Sequence, residues 1–197
     1  MALSLTAVQD VTEAVLGCVC QALQVTATQI DGQPGCPCRV CVVPGQPAWD
    51  SCEDPCNSSP EDVVGQLSVS VLRMYPSSLK VFPGEERQVL GVKDCTLSQL
   101  TAVELLVTLL RCAPGPTEDA CPPSCEDLAT AARVLHTDMT TVYNALLCCF
   151  PSTSLRRRGQ LFTVGQQRTV GPQGGCVGLE QRITVALNGC KCPEEES

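Results

Sequence analysis

Residues 99–112 read QLTAVELLVTLLRC, and whether this run is a helix or a strand decides the fold. Leu100, Val103, Val107 and Leu110 fit the three- and four-residue spacing of a helix face, while Val103, Leu105, Val107 and Leu109 fit one face of a strand. Val and Thr are stiff at χ1 and favour pleated backbone, and Pro114 and Pro116 close the run shortly after it. These features predict a strand buried on both faces.

Working outward, Gln66-Leu67-Ser68-Val69-Ser70-Val71 alternates with period two, the pattern of a half-buried strand. That strand is expected to run to about Tyr75 and to stop at Pro76-Ser77-Ser78. Upstream, Cys38–Val43 is a short β-type run, and the Pro-, Gly-, Ser- and Cys-rich residues 44–60 read as a long loop. Residues 77–95, with Pro83-Gly84 and several charges, read as an exposed loop. Downstream, 160–170 and 179–188 are β-type, the second carrying Glu180-Gln181-Arg182-Ile183-Thr184-Val185-Ala186-Leu187.

Two helices frame these strands. In the first, Thr6 and Gln9 have capping-box spacing, and Val8, Val11, Val15, Val19 and Ala22 form one apolar stripe. The turn cluster Asp31-Gly32-Gln33-Pro34-Gly35 ends it. In the second, Ser124 is placed to cap, Glu126 and Asp127 suit the helix dipole, and Leu128, Ala132, Leu135, Met139, Val142 and Leu146 repeat on one face up to Pro151. The expected fold is α+β: an antiparallel sheet of about five strands with two long helices, in the order α-β-β-β-α-β-β. It forms one domain over 1–192, and Pro193–Ser197 is expected to be a disordered acidic tail.

The composition excludes several functions. With 21 acidic and 13 basic residues the net charge is -8, which lacks the basic footprint of a nucleic-acid binder and opposes docking on an anionic membrane. Charged residues are only 17% of the chain, below the roughly 25% of ordinary soluble domains, as suits a subunit whose surface neighbours cover. Met1–Leu23 lacks the basic start of a signal peptide, Asp10 and Glu13 interrupt it, and no uncharged apolar run reaches membrane-spanning length. These features predict synthesis and retention in a cytosol.

Chemistry-bearing patterns are sparse. His136 is the only histidine, so any Cys-His or Ser-His dyad needs it, yet it sits one place off the apolar stripe where a solvated role is commoner. Neither GxSxG nor a Walker loop occurs. Gly171-Pro172-Gln173-Gly174-Gly175-Cys176-Val177-Gly178 precedes a strand rather than a helix, so it reads as a hairpin connection and not a phosphate cradle. No catalytic residue, cofactor or metal is expected.

The 16 cysteines include one pair at CxxC spacing, Cys38 and Cys41, in a strand rather than a zinc knuckle. Cys18 and Cys20, two apart on a helix, point to different sides. Most cysteines read as small core residues or unpaired thiols. If disulfides form in a mature extracellular particle, the loop residues Cys52, Cys56, Cys121 and Cys125 are the first candidates. Arg156, Arg157 and Arg158 form a basic cluster in an acidic chain, read either as a solvated loop or as a docking contact for an acidic partner.

Several stretches together resemble the tail terminator (tail completion) proteins of actinobacterial siphophages. They are Cys38-Arg-Val-Cys-Val-Val-Pro-Gly45, Ala48-Trp49-Asp50, Gly65–Val69 leading into Arg73-Met74-Tyr75-Pro76, Arg111-Cys112-Ala113-Pro114, the helix with Asp138 ending in Cys148-Cys149, and Gly171–Gly178. The element order is similar to the lambda-like terminator. The resemblance implies a non-enzymatic virion protein of the tail-neck region, made in the host cytoplasm. It would form a homo-hexameric ring on the major tail tube protein, end tube polymerisation and present a surface to head-tail connector proteins, with DNA only as passing cargo and no membrane. Other readings of the same residues are a different head-tail connector or minor tail protein, or a cysteine-based zinc-binding module.

Overall fold

A computed structural model of the chain describes residues 5–47, 63–86, 100–116, 121–152, 161–173 and 175–188. Along the chain lie α1 (Ala7–Gln29), β1 (Arg39–Val43), β2 (Gln66–Ser77), β3 (Leu100–Cys112), α2 (Cys125–Cys148), a 3-10 turn (Phe150–Ser152), β4 (Phe162–Gln173) and β5 (Cys176–Asn188). The class is α+β, and the order differs from the expected one by the 3-10 turn after α2.

The strands form one five-stranded sheet in the order β1-β2-β3-β5-β4. It is mixed, not antiparallel: β1 runs parallel to β2, pairing Arg39 with Gln66 through Val43 with Ser70, while the other three pairings are antiparallel. The reason is the long connection over 44–65. A short hairpin forces neighbouring strands to reverse, but a connection of a dozen or more residues lets the chain return to its starting end.

β3 is the central strand, and it is buried on both faces. Val103, Leu105, Val107 and Leu109 enter the main core, and Ala102, Glu104, Leu106, Thr108 and Leu110 on the opposite face are each at most 6% exposed. Burying each large aliphatic side chain contributes roughly 1.5–3 kcal/mol, which outweighs any helical propensity of the run. Helices α1 and α2 cover one face of the sheet: Val11, Val15, Val19 and Leu23 from α1 and Leu135, Val142 and Leu146 from α2 join Leu67, Val69, Leu179, Ile183 and Val185. By length and hydropathy α1 would suit a membrane span, but in this fold its stripe is packed in the core.

Local details depart from the expected ones. Thr6 precedes α1 in helical backbone conformation and makes no side-chain cap; its hydroxyl donates to Asp10 instead, so the capping box does not form. Ser124 does cap α2, its Oγ accepting from the Asp127 N–H at 3.1 Å. Leu128, read as part of the apolar stripe, is 48% exposed, because the first turns of α2 lie outside the main core. The expected hairpin joins β4 to β5, and β4 begins and ends two or three residues later than read. Gly65 has φ +125°, and a Cβ there would collide with the Leu110 carbonyl, so only glycine lets β2 enter the sheet beside β3.

Candidate assembly surface

β2 has twelve residues, and β1 pairs with only its first five. The second half therefore has β3 on one side and, among the described residues, no strand on the other. Val71, Leu72 and Met74 are 37%, 40% and 56% exposed here. A bulge between Val71 and Arg73 shifts the register against β3, which puts two apolar residues in succession on an otherwise alternating strand. Leu79 and Val81, in the turn that follows, are exposed as well and extend the apolar surface.

This edge is held in shape. Tyr75 donates its hydroxyl to the Pro83 carbonyl at 2.6 Å and Ser77 donates to the Gly84 carbonyl at 2.7 Å. The Glu86 N–H donates to the Pro76 carbonyl at 2.9 Å, so the 78–86 turn folds back on the strand end. The Arg73 guanidinium lies 4.5 Å from the Tyr75 ring centroid and donates to Glu104 at 2.6 Å. Glu104 also accepts from Arg182 at 3.1 Å, so one nearly buried carboxylate bridges β2, β3 and β5. Arg168 of β4 pairs with Glu180 of β5 at 2.7 Å on the same face.

The other end of the sheet is β4, also an edge. Because β2, β3, β5 and β4 are antiparallel in succession, β4 runs opposite to β2. Bulges near Gly165 and Gly171 interrupt its pairing; Gln181 fills the first by donating to the Gly165 carbonyl at 2.8 Å. Gln167 donates to the Met139 carbonyl at 2.9 Å and ties this edge to α2.

Beneath the helices lies a buried ion pair. Asp138 has no exposed surface; Arg111 donates to its two oxygens at 2.9 and 3.1 Å, and Gln33 donates to it at 2.7 Å. Arg111 is the second-last residue of β3, Asp138 is mid-α2 and Gln33 follows α1, so the cluster ties three elements at one point. Burial pushes the Asp138 carboxyl up, and the hydrogen bonds and charge of Arg111, with Gln33, oppose it. A cleft of about 460 Å³, lined by Pro34, Val63, Ala131, Val134 and Val177, opens beside Arg111. Burial also pushes the neighbouring Cys112 thiol up, and the charge of Arg111 opposes it.

The cysteines depart most from the sequence reading. Cys18 bonds Cys149 and Cys20 bonds Cys36, and Cys38 and Cys176 are disulfide-bonded as well. Cys18 and Cys20 do point to different sides of α1, and each finds its own partner there. A disulfide-bonded Cys38 is not available to pair with Cys41 on a zinc ion, and among the described residues no three His, Cys, Asp or Glu side chains converge as a metal site requires. Cys125 carries a thiol at the start of α2, and Cys121 is exposed just before it. His136 is exposed on α2. Cys52, Cys56, Arg156, Arg157, Arg158 and the tail 193–197 lie outside the described residues.

No protein-family model matches the chain, and a comparison with curated proteins finds no match.

Proposed function

We propose that the chain is a structural subunit of a siphophage tail: a terminator that caps the tail tube as a homo-hexameric ring, ends tube polymerisation and offers a docking surface to head-tail connector proteins. The observation that supports this best is the pair of strand edges that no other described strand covers, β2 from Val71 to Tyr75 beyond the end of β1, and β4 at the far side of the sheet. An exposed apolar edge is a template for pairing with another chain. Two different edges on one subunit give a head-to-tail contact, which closes into a ring when the rotation between copies allows it.

Strand direction suits this contact. A rotation about an axis roughly along the strands keeps their direction, so β4 of one copy meets β2 of the next antiparallel. The sheet would then continue from subunit to subunit. In this reading the protein is a virion component of the tail-neck region, assembled in the host cytoplasm, without catalysis, cofactor or membrane. Arg156, Arg157 and Arg158 serve at most as a docking contact to an acidic partner. DNA is passing cargo, and an acidic subunit suits a channel that must not retain phosphates.

The test is a phage lacking the gene. It should accumulate tails of abnormal length beside full, tailless heads when thin lysates are viewed by electron microscopy. Tails of normal length would contradict the termination role, and a defect confined to joining normal tails to heads would favour a different connector protein.

A further inference from the structure

We propose that Cys148 is an exchange thiol that makes the bridge between α1 and α2 transferable between two adjacent cysteines. Cys148 is an exposed thiol and the last residue of α2; Cys149 follows as the cap residue and is bonded to Cys18. All three line one groove of about 490 Å³ between the two helices, together with Ala22, Val25 and Asn144. The groove therefore has an exposed thiol and a disulfide, its natural electrophile, on the same walls. The helix end matters too. Leu146 and Phe150 on either side are buried, and Phe150 packs on Phe162, so the body of α2 and the turn after it stay in place and the movement falls to the exposed Cys148 side chain.

The step is thiol–disulfide exchange and needs no outside oxidant. The Cys148 thiolate attacks Sγ of Cys18, the Cys148–Cys18 bond forms, and the Cys18–Cys149 bond breaks. Cys149 leaves as the thiolate and takes up the proton that Cys148 released. One disulfide and one thiol are present before and after, so α1 stays tied to α2 while the tethering residue moves by one position. Cys20 and Cys36 do not line this groove, so the exchange concerns the bridge to Cys18.

The full chain carrying Cys149→Ser, equilibrated in mixed reduced and oxidised glutathione, acid-quenched and alkylated, should retain Cys18 in a disulfide with Cys148 by peptide mass spectrometry. Cys148→Ser with Cys149→Ser should leave Cys18 alkylated. In the unaltered chain, fragmentation should find both Cys148 and Cys149 bonded to Cys18, and Cys148→Ser should restrict the bond to Cys149. If Cys18 is alkylated in a Cys149→Ser chain with unchanged circular dichroism, the proposal is wrong. Should that variant misfold, the unaltered chain decides, and a bond found only at Cys149 overturns the inference.

Discussion

Asp138 shows how much a single buried side chain organises here. Its carboxylate is fully enclosed and receives Arg111 and Gln33, so three elements meet at one charge. Removing one partner leaves the other as an uncompensated buried charge, at a cost of about 3–5 kcal/mol. Arg111→Met should therefore lower unfolding stability by about that much in urea titration. Arg111→Met combined with Asp138→Leu should recover most of the loss, because apolar packing then replaces the pair. Equal losses in the single and double variants would contradict this account. The sequence shows part of this site. Asp138 falls inside the buried arc between Leu135 and Val142, which marks it as a polar residue needing a partner. The partner lies 27 residues away at a strand end, and no local pattern connects them.

At the scale of elements, the strand over 99–112 was legible through its Val and Thr residues and the closing Pro114 and Pro116, although its apolar spacing fits a helix as well. The second helix was legible through its cap and stripe. The parallel pairing of β1 was not, since pairing direction depends on the path of a long connection rather than on either strand. The open half of β2 left one trace, the break in alternation at Val71-Leu72, which is where the bulge lies. The disulfides were hidden because connectivity follows spatial proximity, and sixteen cysteines allow many pairings. Two predictions belong here. Cys18→Ser with Cys149→Ser removes a bridge spanning 131 residues and should destabilise the fold by roughly 3–5 kcal/mol, read as a lower melting temperature. A melting temperature unchanged from the parent chain would mean that packing and the Cys20–Cys36 bridge suffice to hold α1. Leu72→Glu with Met74→Glu should abolish self-association while circular dichroism and melting stay near those of the parent, because neither side chain belongs to the core. Undiminished assembly of that variant would move the contact elsewhere.

For the whole molecule, charge and sheet architecture both suit the proposed role. A chain of net charge -8 should show no salt-sensitive retention of double-stranded DNA in a filter or mobility assay, since affinity for the phosphate backbone comes from released counterions around Lys and Arg. Tight binding that weakens with salt would contradict the passive-channel reading. In the proposed ring the net charge and the strand edges would have complementary effects: like charges would keep free subunits apart at low concentration, and the β2 and β4 edges would make the contact once copies are aligned. Self-association by these edges is the central claim, and the most direct test is the mass of the purified protein by multi-angle light scattering over rising concentration, alone and with tail tube protein. The account predicts a closed species of six copies in at least one of these conditions, lost in the Leu72→Glu, Met74→Glu variant. A strict monomer in both conditions would contradict it.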